Sequence, residues 1–154
     1  MKFKNMFSPI QIGPMTVKNR FVVPPMGNNF ANSDGTWSDE SVAYYGERAK
    51  GQFGLITIEA TVVHKGAKGG PKKPCLYDDN SIESLKKITD ACHEEGAKVS
   101  IQLQNAGPEG NAKNAGAPIQ AATAIASADG RDIPEEVSTE KVYELDMVKQ
   151  QNVQ

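Results

Sequence analysis

The sequence predicts an α/β protein built on a parallel sheet, and three features point to it. Strand-like and helix-like segments alternate along most of the 154 residues, the mark of right-handed βαβ units whose strands lie parallel. Phe53 to Ala60 (FGLITIEA) is almost continuously apolar, as expected of a parallel strand buried on both faces. Each candidate helix also has a start or stop signal at its ends. A β-hairpin stands in front and about three βα units come after it. Three parallel strands leave at least one edge bare and one face poorly covered, so the architecture reads as incomplete.

Ile10-Gln11-Ile12 and Met15-Thr16-Val17 flank Gly13-Pro14, a strong turn signal, giving the hairpin. Phe21-Val22-Val23 is a β-branched run ended by Pro24-Pro25, and proline is tolerated at a strand end. Met26 to Trp37 is polar and rich in Gly and Asn, a loop. Ser38 is a good N-cap, and Asp39 and Glu40 put negative charge in the first turn, where the helix dipole favours it. That helix runs through Val42, Tyr45 and Ala49 and stops at Gly51. After the Phe53 to Ala60 strand, Thr61 to Asp78 reads as a long loop rich in Gly, Lys and Pro.

The second helix is the clearest. Asn80 caps it with Glu83 three residues on, and Ile82, Leu85, Ile88, Thr89 and Cys92 keep helical spacing. Gly96 closes it as a C-cap. Ala97 to Leu103 is the third strand, and Gln104 to Val137 shows no regular pattern. Ser138 or Thr139 caps a last helix carrying Val142, Leu145 and Val148, and residues 149–154 form a polar tail.

Composition excludes several function classes. Net charge is −2 and the Lys and Arg residues are scattered, so no concentrated positive face is offered to nucleic acid. No apolar run reaches membrane-spanning length. The N-terminus is basic, but Pro9, Gln11 and Gly13 interrupt any signal-peptide core, and a cytoplasmic protein is expected. Cys75 and Cys92 are too few for a disulfide scaffold, and with His64 and His93 they lack zinc-site spacing. They read as reduced thiols, and no metal is expected. Both histidines read as solvated, and Tyr44 and Tyr45 as helix packing.

Ligands of parallel α/β folds gather at the carboxyl ends of the strands. Here those ends are Pro24-Pro25-Met26-Gly27, Glu59-Ala60-Thr61 and Gln102-Leu103-Gln104-Asn105. None is a glycine-rich phosphate loop, and none holds a Ser/His/Asp set or a paired carboxylate. On residue type alone Pro25 and Gly27 suit a turn and Ala60 a small core position. Gln102, in an otherwise apolar strand, needs hydrogen-bond partners, which a ligand or the neighbouring backbone can supply.

Several segments, taken together, carry a resemblance. They are Met6-Phe7-Ser8-Pro9-Ile10 with Gly13, Val17-Lys18-Asn19-Arg20-Phe21-Val22-Val23-Pro24-Pro25-Met26, and Asp34-Gly35 with Tyr44-Tyr45 and Arg48-Ala49. Gly54 to Thr61, Gln102 to Gly107 and Pro134 to Glu140 complete the series. In that order they resemble the opening of the Old Yellow Enzyme family, above all bacterial members similar to 2,4-dienoyl-CoA and 2-enoate reductases. The resemblance runs to about Met147.

The resemblance implies a fold, a cofactor and a reaction. The fold is the N-terminal section of a TIM (β/α)₈ barrel, with residues 1–154 a truncated part of an FMN-binding barrel domain. Such a barrel takes about 250 residues. By the same resemblance Pro25, Met26 and Gly27 lie against the isoalloxazine, and Ala60 packs near the ring. Gln102 hydrogen-bonds the pyrimidine edge, where an amide offers both donor and acceptor. NADH or NADPH delivers hydride to FMN, and the reduced flavin passes it to an activated alkene, an enoate or enone. An iron–sulfur cluster is expected only in a longer parent chain.

Two departures stand out. Asn105-Ala106-Gly107-Pro108 replaces the family's His-Ala-Gly-Arg, and Gly27 stands where relatives carry Thr or Cys. The family's substrate-anchoring pair, proton-donating Tyr and phosphate loop lie beyond its third helix, so no catalytic residue is assigned here. The alternative to a reductase is therefore a catalytically incompetent barrel fragment that acts only through association with itself or another chain, by its open sheet edges.

Overall fold

The structure, a computed structural model, describes residues 3–129 and 132–144. They form two compact units. The first holds residues 3–30, 37–60 and 82–102, and the second holds residues 31–36, 61–81, 103–129 and 132–144.

In the first unit the hairpin forms as expected. β1 (Ile10–Ile12) and β2 (Met15–Val17) pair antiparallel, with Ile10 opposite Val17 and Ile12 opposite Met15. β3 (Val22–Val23), β4 (Leu55–Val62) and β5 (Lys98–Gln104) make a sheet in the order β3-β4-β5. β3 runs parallel to β4, Val22 beside Leu55 and Val23 beside Ile56. Only two residues of β3 pair, because Pro24 and Pro25 have no N–H to give the ladder. Gly54 lets β4 begin close to the hairpin: a Cβ there would lie 2.7 Å from Val17 Cγ1 and 2.8 Å from the Asn19 carbonyl oxygen.

α1 (Asp39–Lys50) starts where Ser38 predicts, its Oγ accepting the Ser41 N–H at 3.2 Å. It buries Ser41, Tyr45 and Ala49, one residue per turn on a single face. α2 (Ile82–Glu94) buries Ile88 and Cys92 and packs against α1, with Gly46 over Ala91. Its start differs from the expected Asn80 cap. A 3₁₀ turn at Asp79–Ser81 leads in, and Asp78 Oδ1 accepts the Asn80 N–H. That bond caps the 3₁₀ turn, and α2 itself begins only after Ser81. The end is as expected: Gly96 is left-handed (φ +71°), its N–H donates to His93 O, and Ala97 N–H donates to Cys92 O, a Schellman closure.

The apolar run of β4 is not buried evenly. Ile56 and Ile58 are wholly buried, whereas Leu55 and Thr57 are half-exposed. β5 alternates cleanly, with Lys98, Ser100 and Gln102 exposed. One face of β4 is thus largely covered, while the face of Leu55 and Thr57 is open only along the first half of the strand, since Glu59 further along it is wholly buried.

The second unit departs most from the expected loops. In 61–78 the chain returns to β4: Val62 N–H donates to Pro74 O and Leu76 N–H to Val62 O, making a parallel bridge between Val62 and Cys75. Val62, Ala67 and Cys75 form a small core against Tyr77. The region expected to be irregular holds a 3₁₀ turn (Gly107–Glu109) and α3 (Ala112–Ala115), which is capped by Asn111. It also holds a parallel pair of β6 (Gln120–Ala121) with β7 (Glu135–Glu136). Elements of two to four residues leave no periodicity to detect. Residues 139–144 are helical, and Ser138 is the cap, accepting Lys141 N–H at 3.3 Å. Leu145, Val148 and the polar tail lie outside the described residues.

Candidate functional site

Within the first unit β3 runs parallel to β4, and Lys98 N–H on Gly54 O sets the start of β5 beside the start of β4, so Val23, Ala60 and Gln102 each stand late in neighbouring strands of one sheet. Pro25, Met26, Gly27, Ala60 and Gln102 all belong to this unit. Pro25 is half-buried, Met26 is 57% exposed and Gly27 is exposed. Neither Met26 nor Gly27 has its main-chain N–H taken by an acceptor among the described residues. Gln102 is exposed and its carboxamide makes no hydrogen bond within the described chain. The backbone-bonding alternative for Gln102 is therefore not what the structure adopts.

Strand alternation puts Gln102 on the face of Ser100, whose Oγ lies 2.8 Å from Thr57 Oγ1. It puts Ala60 on the opposite side, with Ile56 and Ile58. The uncommitted Met26 and Gly27 N–H groups fit the carbonyls of a flavin, and the Gln102 carboxamide, both donor and acceptor, fits a carbonyl and an N–H together.

A second layer holds this edge. Glu59, one residue before Ala60, is wholly buried, and its Oε2 accepts the Asn28 N–H at 3.2 Å. Its own N–H donates to Tyr45 Oη at 2.9 Å. β3 ends too early to receive that N–H, and the phenol substitutes. Burial drives the Tyr45 phenol well above its usual range, against the opposing effect of the Glu59 N–H. Downstream, Asn28 Oδ1 accepts the Phe30 N–H at 2.8 Å and Asn29 is left-handed (φ +58°). Phe30 meets the Tyr44 ring edge-on, and the Arg48 guanidinium stacks on that ring, 3.2 Å from its centroid.

Reading Tyr45 as packing missed its polar role. The signal for Glu59 was present, since a lone carboxylate inside an apolar strand must be compensated.

The remaining candidates lie elsewhere. His93 is exposed on α2. His64, in the second unit, is half-buried rather than solvated: its Nδ1 accepts the Gly66 N–H at 3.2 Å, and burial with Lys141 lowers its pKa. Cys75 and Cys92 are buried free thiols. Burial pushes both up, Cys92 to about 11. No group of three or more His, Cys, Asp or Glu among the described residues could hold a metal ion. No helix among them is long and apolar enough to cross a membrane.

Comparison with known proteins bears on this edge. The Old Yellow Enzyme homologue of Zymomonas mobilis superposes with a TM-score of 0.86 at 26% identity, covering 96% of this chain and 44% of that one. For the Old Yellow Enzyme of a Pichia species the values are 0.85, 28%, 96% and 41%. For that of Trypanosoma cruzi they are 0.80, 30%, 93% and 45%. The chain spans less than half the length of each, so its parallel sheet and flanking helices correspond to part of their fold. The model of one family, NADH:flavin oxidoreductase / NADH oxidase, matches residues 5–154. With the strand order and the motif series agreeing, the chain belongs to that family of Old Yellow Enzyme-type flavoproteins.

Proposed function

We propose that residues 1–154 are the opening section of an FMN-binding (β/α)₈ barrel, incomplete as a barrel, and that they hold part of the flavin cradle without performing the reduction. The observation that carries this is the uncommitted set at one edge: the Met26 and Gly27 N–H groups and the Gln102 carboxamide. Pro25, Met26 and Gly27 would lie along the isoalloxazine, Ala60 would approach it through its main chain, and Gln102 would bond the pyrimidine edge. FMN, when bound, supplies hydride transfer from NADH or NADPH to an activated alkene such as an enoate or enone. These residues bind and orient the ring, and none of them is placed to protonate a substrate.

Turnover then depends on association with a second copy or another chain. Supporting this, β3 and β5 are the outer strands of the sheet, and the chain spans 41–45% of the three Old Yellow Enzymes compared with it. An iron–sulfur cluster belongs only to a longer relative. Scattered charge still argues against nucleic acid, and the two free thiols suit the cytoplasm.

The test is an FMN titration of the purified chain, followed by flavin absorbance, with sedimentation and an NAD(P)H-driven enone assay alongside. Saturable FMN binding, concentration-dependent association and no turnover are expected. A folded chain that ignores FMN sinks the cradle. A compact monomer with turnover sinks the dependence on association.

A further inference from the structure

We propose that Glu59 is a positioning residue, whose buried carboxylate fixes the Pro25-Met26-Gly27 main chain by accepting the N–H of Asn28. The inference deepens the flavin-cradle reading and rests on it. Pro24 and Pro25 bring no N–H to the sheet, and β3 stops pairing with β4 at Val23. The exposed segment from Met26 onward therefore has no ladder to hold it. Its first attachment is the Asn28 N–H on Glu59 Oε2 at 3.2 Å.

The acceptor is rigid. Glu59 is 0% exposed, inside β4, and its own main chain is held separately by Tyr45 Oη at 2.9 Å. In a wholly buried site no water competes for the carboxyl oxygen, so its bond to a backbone N–H is stronger than the same bond in water. Beyond Asn28 the path is set by the Asn28 Oδ1 bond to Phe30 N–H at 2.8 Å and the left-handed Asn29. The side chain and the main chain of Glu59 thus have separable roles. A substitution at Glu59 releases the loop while leaving the tie between α1 and β4 in place.

The experiment combines amide exchange by NMR on the ligand-free chain with FMN titration, for the wild type, Glu59→Gln and Glu59→Leu. In the wild type, Asn28 should exchange at least tenfold more slowly than Gly27. Glu59→Leu should bring Asn28 to the rate of Gly27 and weaken FMN binding at least tenfold, with α1 and β4 protection unchanged. Glu59→Gln keeps an acceptor, so Asn28 should exchange at an intermediate rate and FMN affinity should stay within threefold. An Asn28 rate that neither substitution changes overturns the proposal. So does a released Asn28 with undiminished FMN affinity. If Glu59→Leu also loses α1 and β4 protection, Glu59→Gln decides by the Asn28 rate alone. A wild type that does not bind FMN refutes the cradle reading, while Asn28 exchange still decides whether Glu59 holds the loop.

Discussion

Tyr45→Phe isolates one hydrogen bond in the core of the first unit. The phenylalanine ring keeps all the apolar burial of Tyr45, which is 1% exposed, and its edge-on contact with Tyr44 at 5.1 Å between centroids. What is lost is the acceptor for the Glu59 N–H, a 2.9 Å bond inside a wholly buried residue. No water reaches that N–H, so it stays unpaired, and an unsatisfied buried donor costs about 1–3 kcal/mol. Taking about 2 kcal/mol and a urea m-value of about 2 kcal/mol/M, the unfolding midpoint should fall by about 1 M. The melting temperature should fall by about 4–8 °C for a chain of this size. The assay is urea denaturation followed by circular dichroism, with m unchanged, and amide exchange should show Glu59 opening first. A midpoint within about 0.2 M of wild type would refute the claim that the phenol stands in for a missing ladder partner.

Gln102→Leu should leave stability unchanged, because the side chain is exposed and unbonded in the ligand-free chain. It should weaken FMN by about 1–3 kcal/mol in the titration, the penalty for leaving flavin polar groups unpaired. Loss of stability without loss of affinity would reverse that assignment. Cys75 and Cys92 should be silent to a thiol reagent in the native chain and should both react in guanidinium, since burial raises both thiols and a raised pKa depletes the thiolate. Rapid native labelling of either would contradict their burial. His64 is depressed below the ordinary histidine value of 6.5, mainly by burial. Its contribution to stability is therefore complete above about pH 6.5 and is lost as pH falls below that value, where the unfolded chain binds the proton more readily. The urea midpoint should drop between about pH 7 and 5, and His64→Gln should flatten the profile. An unchanged slope would exclude His64 as its source.

The legible parts of the fold are those with a strong local signal. The hairpin, both long helices and three strands were readable because each carries periodicity or a cap: Gly13-Pro14, Ser38, Gly96 and the β4 run. The expected Asn80 cap falls instead inside a 3₁₀ turn at Asp79–Ser81, too short to leave a pattern that separates it from the helix behind it. The return of Pro74 to Leu76 onto Val62 was invisible, because a single parallel bridge has no local pattern. At the candidate site, the strand-end residues came from motif order. Their supports, Glu59 and Tyr45, are long-range partners 14 positions apart that no local spacing connects.

The character of the open face bears on how such a chain associates. Thr57 and Ser100 satisfy one another across β4 and β5, and Lys98 and Gln102 stand in water beside them. Exposing this part of the face costs little, since these groups are polar and either paired or hydrated, whereas Glu59 further along β4 is wholly buried. Val22, at 49% exposure, and half-buried Leu55 are the apolar exceptions, both at the β3 side. The outer edge of β5 is different. It is seven residues long and has no strand partner among the described residues. Main-chain donors and acceptors on such an edge are a template for another strand. Lys98 guards only its beginning. Association should therefore proceed by strand addition along β5 rather than by stacking of sheet faces. That route would leave the Met26, Gly27 and Gln102 groups clear.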